Sequence, residues 1–201
     1  MNDFIEGFRE GIIATSLIEW IAVATGLTYV ILAAKKSIWC WIFALISSSI
    51  YVYLCYSTQL YIESFLQVFY VVMAIVGWIL WNKTKNQKLF VKKWPLKYHI
   101  WNLSLSAGVT ILLGLTFIEW KEDQAYPFVD SFTTVFSLTA TFMVTKKVLN
   151  NWIYWIVIDI VAIFLYMSRG FYMTSVLYLL FTILAIFGWL QWRKQYKLQQ
   201  S

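Results

Sequence analysis

The residues AIVGWILWNK at 74–83 return as AIFGWLQWRK at 185–194, an offset of 111. Carried backward without a gap, that offset pairs Ser64 with Ser175, Tyr61 with Tyr172, Leu54 with Leu165 and Trp41 with Trp152. It also pairs Lys35-Lys36 with Lys146-Lys147 and Thr28 with Thr139. Of 65 positions in 19–83 and 130–194, 17 are identical. Apolar composition inflates such a score, but Trp, Gly, Tyr and Lys matches at one fixed offset do not arise from hydrophobicity alone. Any fold for this chain must therefore hold the same unit twice.

The unit is apolar. A helix needs about 20 mostly apolar residues to cross a bilayer, and the chain reads as seven spans near 15–34, 37–57, 60–81, 97–118, 128–145, 149–168 and 171–192. The whole chain is 61% hydrophobic and 13% charged, against roughly 25% charged for an ordinary soluble domain. That balance excludes disorder, a collagen, a disulfide scaffold and nearly any soluble enzyme. Cys40 and Cys55 lie in one span about 22 Å apart along a helix, too far to bridge. No basic n-region or cleavage site begins the chain, so no secretory signal is expected.

Seven spans put the loops at 35–36, 82–97 and 146–147 and the C-terminal tail on one side, where 13 of the 16 Lys and Arg fall. Arg9, Lys121 and Arg169 fall on the other, with Asp3, Glu6, Glu10, Glu122 and Asp123. Positive charge concentrates on cytoplasmic loops, so the C-terminus is expected in the cytoplasm and the N-terminus outside. The net charge of +6 is then a topology signal and not a nucleic-acid surface.

A three-span unit followed directly by itself would be inverted, yet the Lys pairs place both copies the same way up. One linker span must intervene, and 97–118 is that span. The expected fold is an all-α polytopic membrane protein in a 3+1+3 arrangement with parallel repeats, as in small-solute carriers of the SWEET type. The boundaries read as a short outer segment at 1–14, a first repeat at 15–81, a basic cytoplasmic loop at 82–96, the linker at 97–118, a second repeat at 128–192 and a tail at 193–201. In such folds the substrate sits near mid-membrane, between the repeats.

Departures from the symmetry can select the substrate. NNWIYWIVID places Trp152, Trp155 and Asp159 on one helix face. Asp159 falls mid-span, where an ionisable group is costly, and its repeat partner is Ser48. It reads either as a structural Asp at a kink or as a carboxylate facing a wet cavity. Beside two indoles, a carboxylate suits a flat cationic ring through stacking and cation–π attraction. Gln67 mirrors Tyr178, and both are polar and mid-span. Gln67 can donate and accept, so it serves a sugar or amide, or else a helix–helix bond. Tyr70 lies three residues further along that face. Tyr51 and Tyr53 line the path or pack in the core.

Glu19 and Asp130 are a repeat pair at the outer ends of their spans. The helix macrodipole accounts for both, and a pair of outer gate residues is the alternative. The GWxxW ends, with Gly77/Gly188, Trp78/Trp189 and Trp81/Trp192, read as an aromatic belt and a close helix contact. His99 reads as structural. There is no zinc-ligand spacing, P-loop, G-x-S-x-G or H-E-x-x-H, so no enzyme activity, metal or cofactor is expected.

The chain resembles the Pnu-type vitamin transporters, the PnuC family of nicotinamide riboside carriers. The resemblance is carried by LYIESFLQVFY at 60–70, the GWxxW end of the third span, Pro-Phe-x-Asp-Ser at 127–131, TKK at 145–147, NWxxW at 151–155 and the Tyr178 segment. It implies uptake of nicotinamide riboside across the bacterial inner membrane by facilitated diffusion, trapping by a cytoplasmic kinase, and assembly as trimers. By motif position it puts substrate contacts on Gln67, Trp152, Trp155, Asp159 and Tyr178. The sequence departs from the family pattern at Asp159, where characterised riboside carriers have Asn. Related members are thought to carry thiamine, so either vitamin stays open, as does a proton-coupled carrier using Asp159 or a non-transporting scaffold.

Overall fold

The structure, a computed structural model, describes residues 2–58, 61–83, 91–120 and 126–200. Lys85, Lys88, Lys121, Glu122 and Asp123 lie outside the described residues, as do the side chains of Asp3 and Tyr61. The described residues form eight helices: α1 (Asn2–Ala14), α2 (Leu17–Ala34), α3 (Cys40–Ser57), α4 (Tyr61–Lys83), α5 (Leu96–Trp120), α6 (Pro127–Thr145), α7 (Asn151–Ser168) and α8 (Tyr172–Leu198). Seven of them, α2 to α8, are long and apolar enough to cross a membrane. The chain is an all-helical membrane protein, as its sequence indicates.

Local chemistry sets the helix ends. Ser16 caps α2 in a reciprocal box with Glu19. Pro127 opens α6, where its missing N–H costs nothing. Gly170, at φ 77°, turns α7 into α8. Helices α2 and α6 close in the same way. Lys36 (φ 61°) and Lys147 (φ 58°) take the left-handed position. Their N–H groups donate to Ala33 O and Val144 O, each at 2.9 Å. The next residues, Ser37 and Val148, reach back to Leu32 O and Met143 O.

Two segments add detail to the sequence reading. Residues 2–14, within the short outer segment, form a helix. Phe4 meets Phe8 and Tyr172, while Gly7 and Gly11 let the backbone lie on Tyr172 and Met173 of α8. The expected tail is also helical, since α8 continues to Leu198 with Arg193 over the Trp189 ring at 4.8 Å.

The packing closes a ring. Helix α2 packs on α3 and α3 on α4; α6 packs on α7 and α7 on α8; α2 meets α8 and α4 meets α6. Among the described residues the backbone of α5 packs on that of α6 only, helped by a Ser106–Thr139 hydroxyl contact of 3.1 Å. His99 and Asn102 of α5 reach the Tyr154 hydroxyl of α7. Equivalent bonds recur at the 111 offset: Ser64 Oγ to Val52 O and Ser175 Oγ to Ile163 O are both 3.2 Å. The Trp41 ring fills the place of a side chain at Gly77, and Trp152 does so at Gly188. Apolar side chains such as Phe65, Leu105, Leu112 and Phe164 point out of the ring, as lipid-facing residues do.

Candidate functional site

Helix α4 does not pack backbone to backbone on α7 or α8. Side chains from all three nonetheless come within electrostatic range of one another. Asp159 of α7 interacts electrostatically with the hydroxyls of Tyr70 of α4 and Tyr178 of α8, which also interact with each other. The sequence places Tyr70 and Tyr178 on helices from different halves of the chain, and the fold alone brings them to one carboxylate.

Asp159 is 3% exposed. Among the described residues it has no hydrogen-bond donor and no ion-pair partner. A buried charged carboxylate without a partner is expensive. The tyrosines have their own partners. Tyr70 bonds to Ser137 of α6. The Tyr178 ring stacks on Tyr166 of α7, with centroids 5.2 Å apart and an interplanar angle of 13°. The result is a buried carboxylate within electrostatic range of two phenols, one of them stacked on a third.

Gln67 lies one turn from Tyr70 on α4 and is half-buried. Trp155 lies one turn from Asp159 toward the lysine-rich end, half-buried against the core. Trp152 sits lower. Its ring covers Gly188 and meets Trp192 edge-on at 5.5 Å, in a cluster with Trp41 and Trp81. It is thus placed with the tryptophans and not with the tyrosines around Asp159. Tyr53 points outward, 63% exposed, and Tyr51 is half-buried.

Glu19 and Asp130 have separate partners. Glu19 accepts from Ser16 N at 2.6 Å as part of the α2 cap. Asp130 takes a two-pronged pair from Arg169, 3.0 Å and 2.6 Å. The carboxylate raises the Arg169 guanidinium above its ordinary pKa. Both acids stand at the end of the ring opposite the lysines.

Tyr166 and Ser137 are the contributors that sequence reasoning missed. Tyr166 follows Asp159 by seven residues, so it extends the same helix face as Trp152 and Trp155, and that periodicity could have found it. Ser137 has no such signal.

The described residues contain no group of three or more His, Cys, Asp or Glu able to hold a metal ion. Chemically, an ionised carboxylate attracts a cation and phenol faces attract flat rings, and an amide such as that of Gln67 both donates and accepts hydrogen bonds.

Residues 16–194 match the family described as nicotinamide mononucleotide transporter. The nicotinamide riboside transporter PnuC of Escherichia coli (strain K12) is 28% identical over 203 residues, covering 88% of this chain and 85% of the relative. The transporter of the same name from Neisseria mucosa is 30% identical over 192 residues, covering 88% and 72%. The riboflavin/roseoflavin transporter RibM of Streptomyces davaonensis is 21% identical over 172 residues, covering 83% and 80%. The crystal structure of the vitamin B3 transporter PnuC superposes with a TM-score of 0.72 at 23% identity, covering 98% of this chain and 91% of that one. That likeness speaks to the fold.

Proposed function

The chain belongs to the nicotinamide mononucleotide transporter family, whose members are membrane transporters and not enzymes, and from that premise we propose that it imports nicotinamide riboside by facilitated diffusion. The observation that carries the reading is Asp159, a buried carboxylate on α7 within electrostatic range of Tyr70 and Tyr178, which come from the two halves of the chain. Nicotinamide riboside carries a fixed positive charge on an aromatic ring. Asp159 supplies its counter-charge, Trp155 or the tyrosines its stacking surface, and Gln67 a partner for its amide or ribose.

The riboside is favoured over the mononucleotide by charge. The groups facing Asp159 are phenols, so a phosphate would be desolvated beside a carboxylate with no cation to receive it. Thiamine also carries a fixed cation on an aromatic ring and is the alternative substrate. The unpartnered carboxylate also favours a second reading, in which Asp159 takes a proton during transport.

The two three-helix units are read as parallel repeats about the linker α5, with the pathway between them. The lysine-rich end faces the cytoplasm of a bacterial inner membrane. A kinase there phosphorylates and traps the vitamin, and three copies of the chain assemble.

Vesicles containing the purified protein test this. Labelled nicotinamide riboside is expected to exchange by counterflow at a rate insensitive to a proton gradient. Equal uptake of mononucleotide overturns the riboside assignment. Faster exchange of thiamine transfers the reading to that vitamin, and acceleration by an imposed proton gradient replaces facilitated diffusion with coupling.

A further inference from the structure

The lysine-rich end of the ring holds four buried indoles. Trp41 meets Trp81 edge-on at 5.4 Å, Trp152 meets Trp192 edge-on at 5.5 Å, and Trp81 meets Trp192 across the middle at 6.1 Å. Trp81 and Trp192 are 2% and 0% exposed. They belong to α4 and α8, helices whose backbones do not pack on each other. The two rings therefore meet inside the ring, across the space between the units.

Their polar edges distinguish them from the other two. Trp81 Nε1 donates to Val144 O of α6 at 3.3 Å, and Trp192 Nε1 donates to Ala33 O of α2 at 3.1 Å. The indole N–H groups of Trp41 and Trp152 have no partner among the described residues. So each seam between the units, α4 on α6 and α2 on α8, carries one indole–carbonyl bond, at equivalent positions. Each seam also carries the lysine that ends the partner helix. Lys147 Nζ lies 5.3 Å from the Trp81 ring, and Lys36 Nζ donates to Gln195 Oε1 at 2.8 Å. The accepting carbonyls, Ala33 O and Val144 O, are the ones that also receive the Lys36 and Lys147 N–H groups. Tyr70 and Trp81 are eleven residues apart on α4, and Tyr178 and Trp192 fourteen apart on α8, so the indoles lie roughly 16–21 Å beyond the tyrosines of the Asp159 site along the axis.

We infer that Trp81 and Trp192 are the gate of the pathway at its lysine-rich mouth, latched shut by one indole–carbonyl bond across each seam. The inference rests on the interior being the transport path, not on which vitamin travels it. A solute leaving the Asp159 site toward that mouth meets two touching rings, and the units cannot part there without breaking both bonds. Trp41 and Trp152, seated on Gly77 and Gly188 within their own units, act as the fixed walls on which the gate rings rest edge-on.

A side-specific thiol assay tests this without any substrate. Ala185 is 2% exposed and follows Tyr178 by seven residues and precedes Trp192 by seven, on one face of α8. The reporter is Ala185→Cys in a chain carrying Cys40→Ala and Cys55→Ala, treated with a charged methanethiosulfonate from either side of oriented vesicles. Phe at both 81 and 192 keeps a ring and removes each N–H donor. Loss of one buried hydrogen bond changes an opening equilibrium roughly five-fold, and loss of both roughly thirty-fold. Labelling from the lysine-rich side is expected to accelerate about five-fold for Trp81→Phe or Trp192→Phe alone and about thirty-fold for the double variant, while labelling from the other side does not rise. Unchanged labelling in both single variants overturns the inference. So does a rise of equal size from both sides, which marks general loosening. The single variants keep the test decisive should the double variant fail to fold. Failure of nicotinamide riboside uptake in the parent chain, with labelling as expected, would strike the vitamin assignment and leave the gate standing.

Discussion

Arg169 holds Asp130 with both guanidinium nitrogens, Nη1 to Oδ1 at 3.0 Å and Nη2 to Oδ2 at 2.6 Å. The pair ties the first turn of α6 to the turn after α7 within one unit. The equivalent positions of the other unit are Glu19 and Thr58, and there Glu19 completes a helix cap with Ser16. One pair of symmetric acids has thus taken two different structural tasks.

The ion pair is partly solvated, with side chains 26% and 20% exposed. Asp130→Asn and Arg169→Ala are each expected to destabilise the chain by about 1 kcal/mol. The double variant should lose little more than either single one, because the two act through one contact. Thermal unfolding of all four chains in detergent checks this. Fully additive losses would mean that the pair contributes nothing as a pair.

Gly188 has Trp152 where a side chain would be. A Cβ there would lie 2.7 Å from the indole, and one at Gly77 would lie 2.4 Å from the Trp41 indole. The ring cannot yield easily, since each is itself packed edge-on against a gate tryptophan. Gly188→Ala and Gly77→Ala should each cost roughly 1–3 kcal/mol by overpacking, despite the gain in helix propensity. Gly108→Ala, where nothing lies within 4 Å, should be neutral or mildly stabilising. Unfolding midpoints and tryptophan emission check all three.

This contrast also marks what could be read from the sequence. The seven spans and the repeated GWxxW ends follow from hydropathy and offset, because a bilayer enforces helix length and the Gly–Trp match enforces close packing. Asp159, Gln67 and Tyr178 stand out as mid-span polar residues in an apolar background. What the offset hides is which wall each aromatic serves. Trp152 and Trp155 share a helix face, yet Trp152 belongs to the tryptophan cluster while Trp155 sits one turn nearer the carboxylate. Helical periodicity fixes direction around one axis and says nothing about the distance to another helix. For the same reason Ser137, whose role arises wholly from α6 meeting α4, left no trace in the pattern.

Lys147 offers a pH signature. It is 3% exposed and close to Lys92, and burial first, then that like charge, pushes its ammonium down to about 8. The unfolded chain holds its proton to the usual lysine value near 10.4. Between about 8 and 10.4 the unfolded state therefore binds more protons, and stability rises with pH. Below about 8 both states are protonated, and the slope vanishes. Lys147→Met should remove the alkaline rise. Unfolding midpoints measured from pH 7 to 10.5 check it, and an identical slope in the variant would assign the rise to other groups.

Asp159 separates charge recognition from shape. Asp159→Asn keeps the size of the side chain, exchanges one acceptor oxygen for an NH2 donor and removes the charge. If the carboxylate pairs with the fixed cation of nicotinamide riboside, affinity should fall roughly 10- to 100-fold, the range for losing a charge-assisted contact inside a protein. The reduced, dihydro form of the same riboside has almost the same shape and no ring charge. Its affinity should be weak for the parent chain and unchanged or improved in the variant, because a buried carboxylate no longer has to be covered by a neutral ring. Titration calorimetry with both ligands reads this directly. Parallel losses for the charged and uncharged ligand would mean that Asp159 shapes the site and does not recognise the cation.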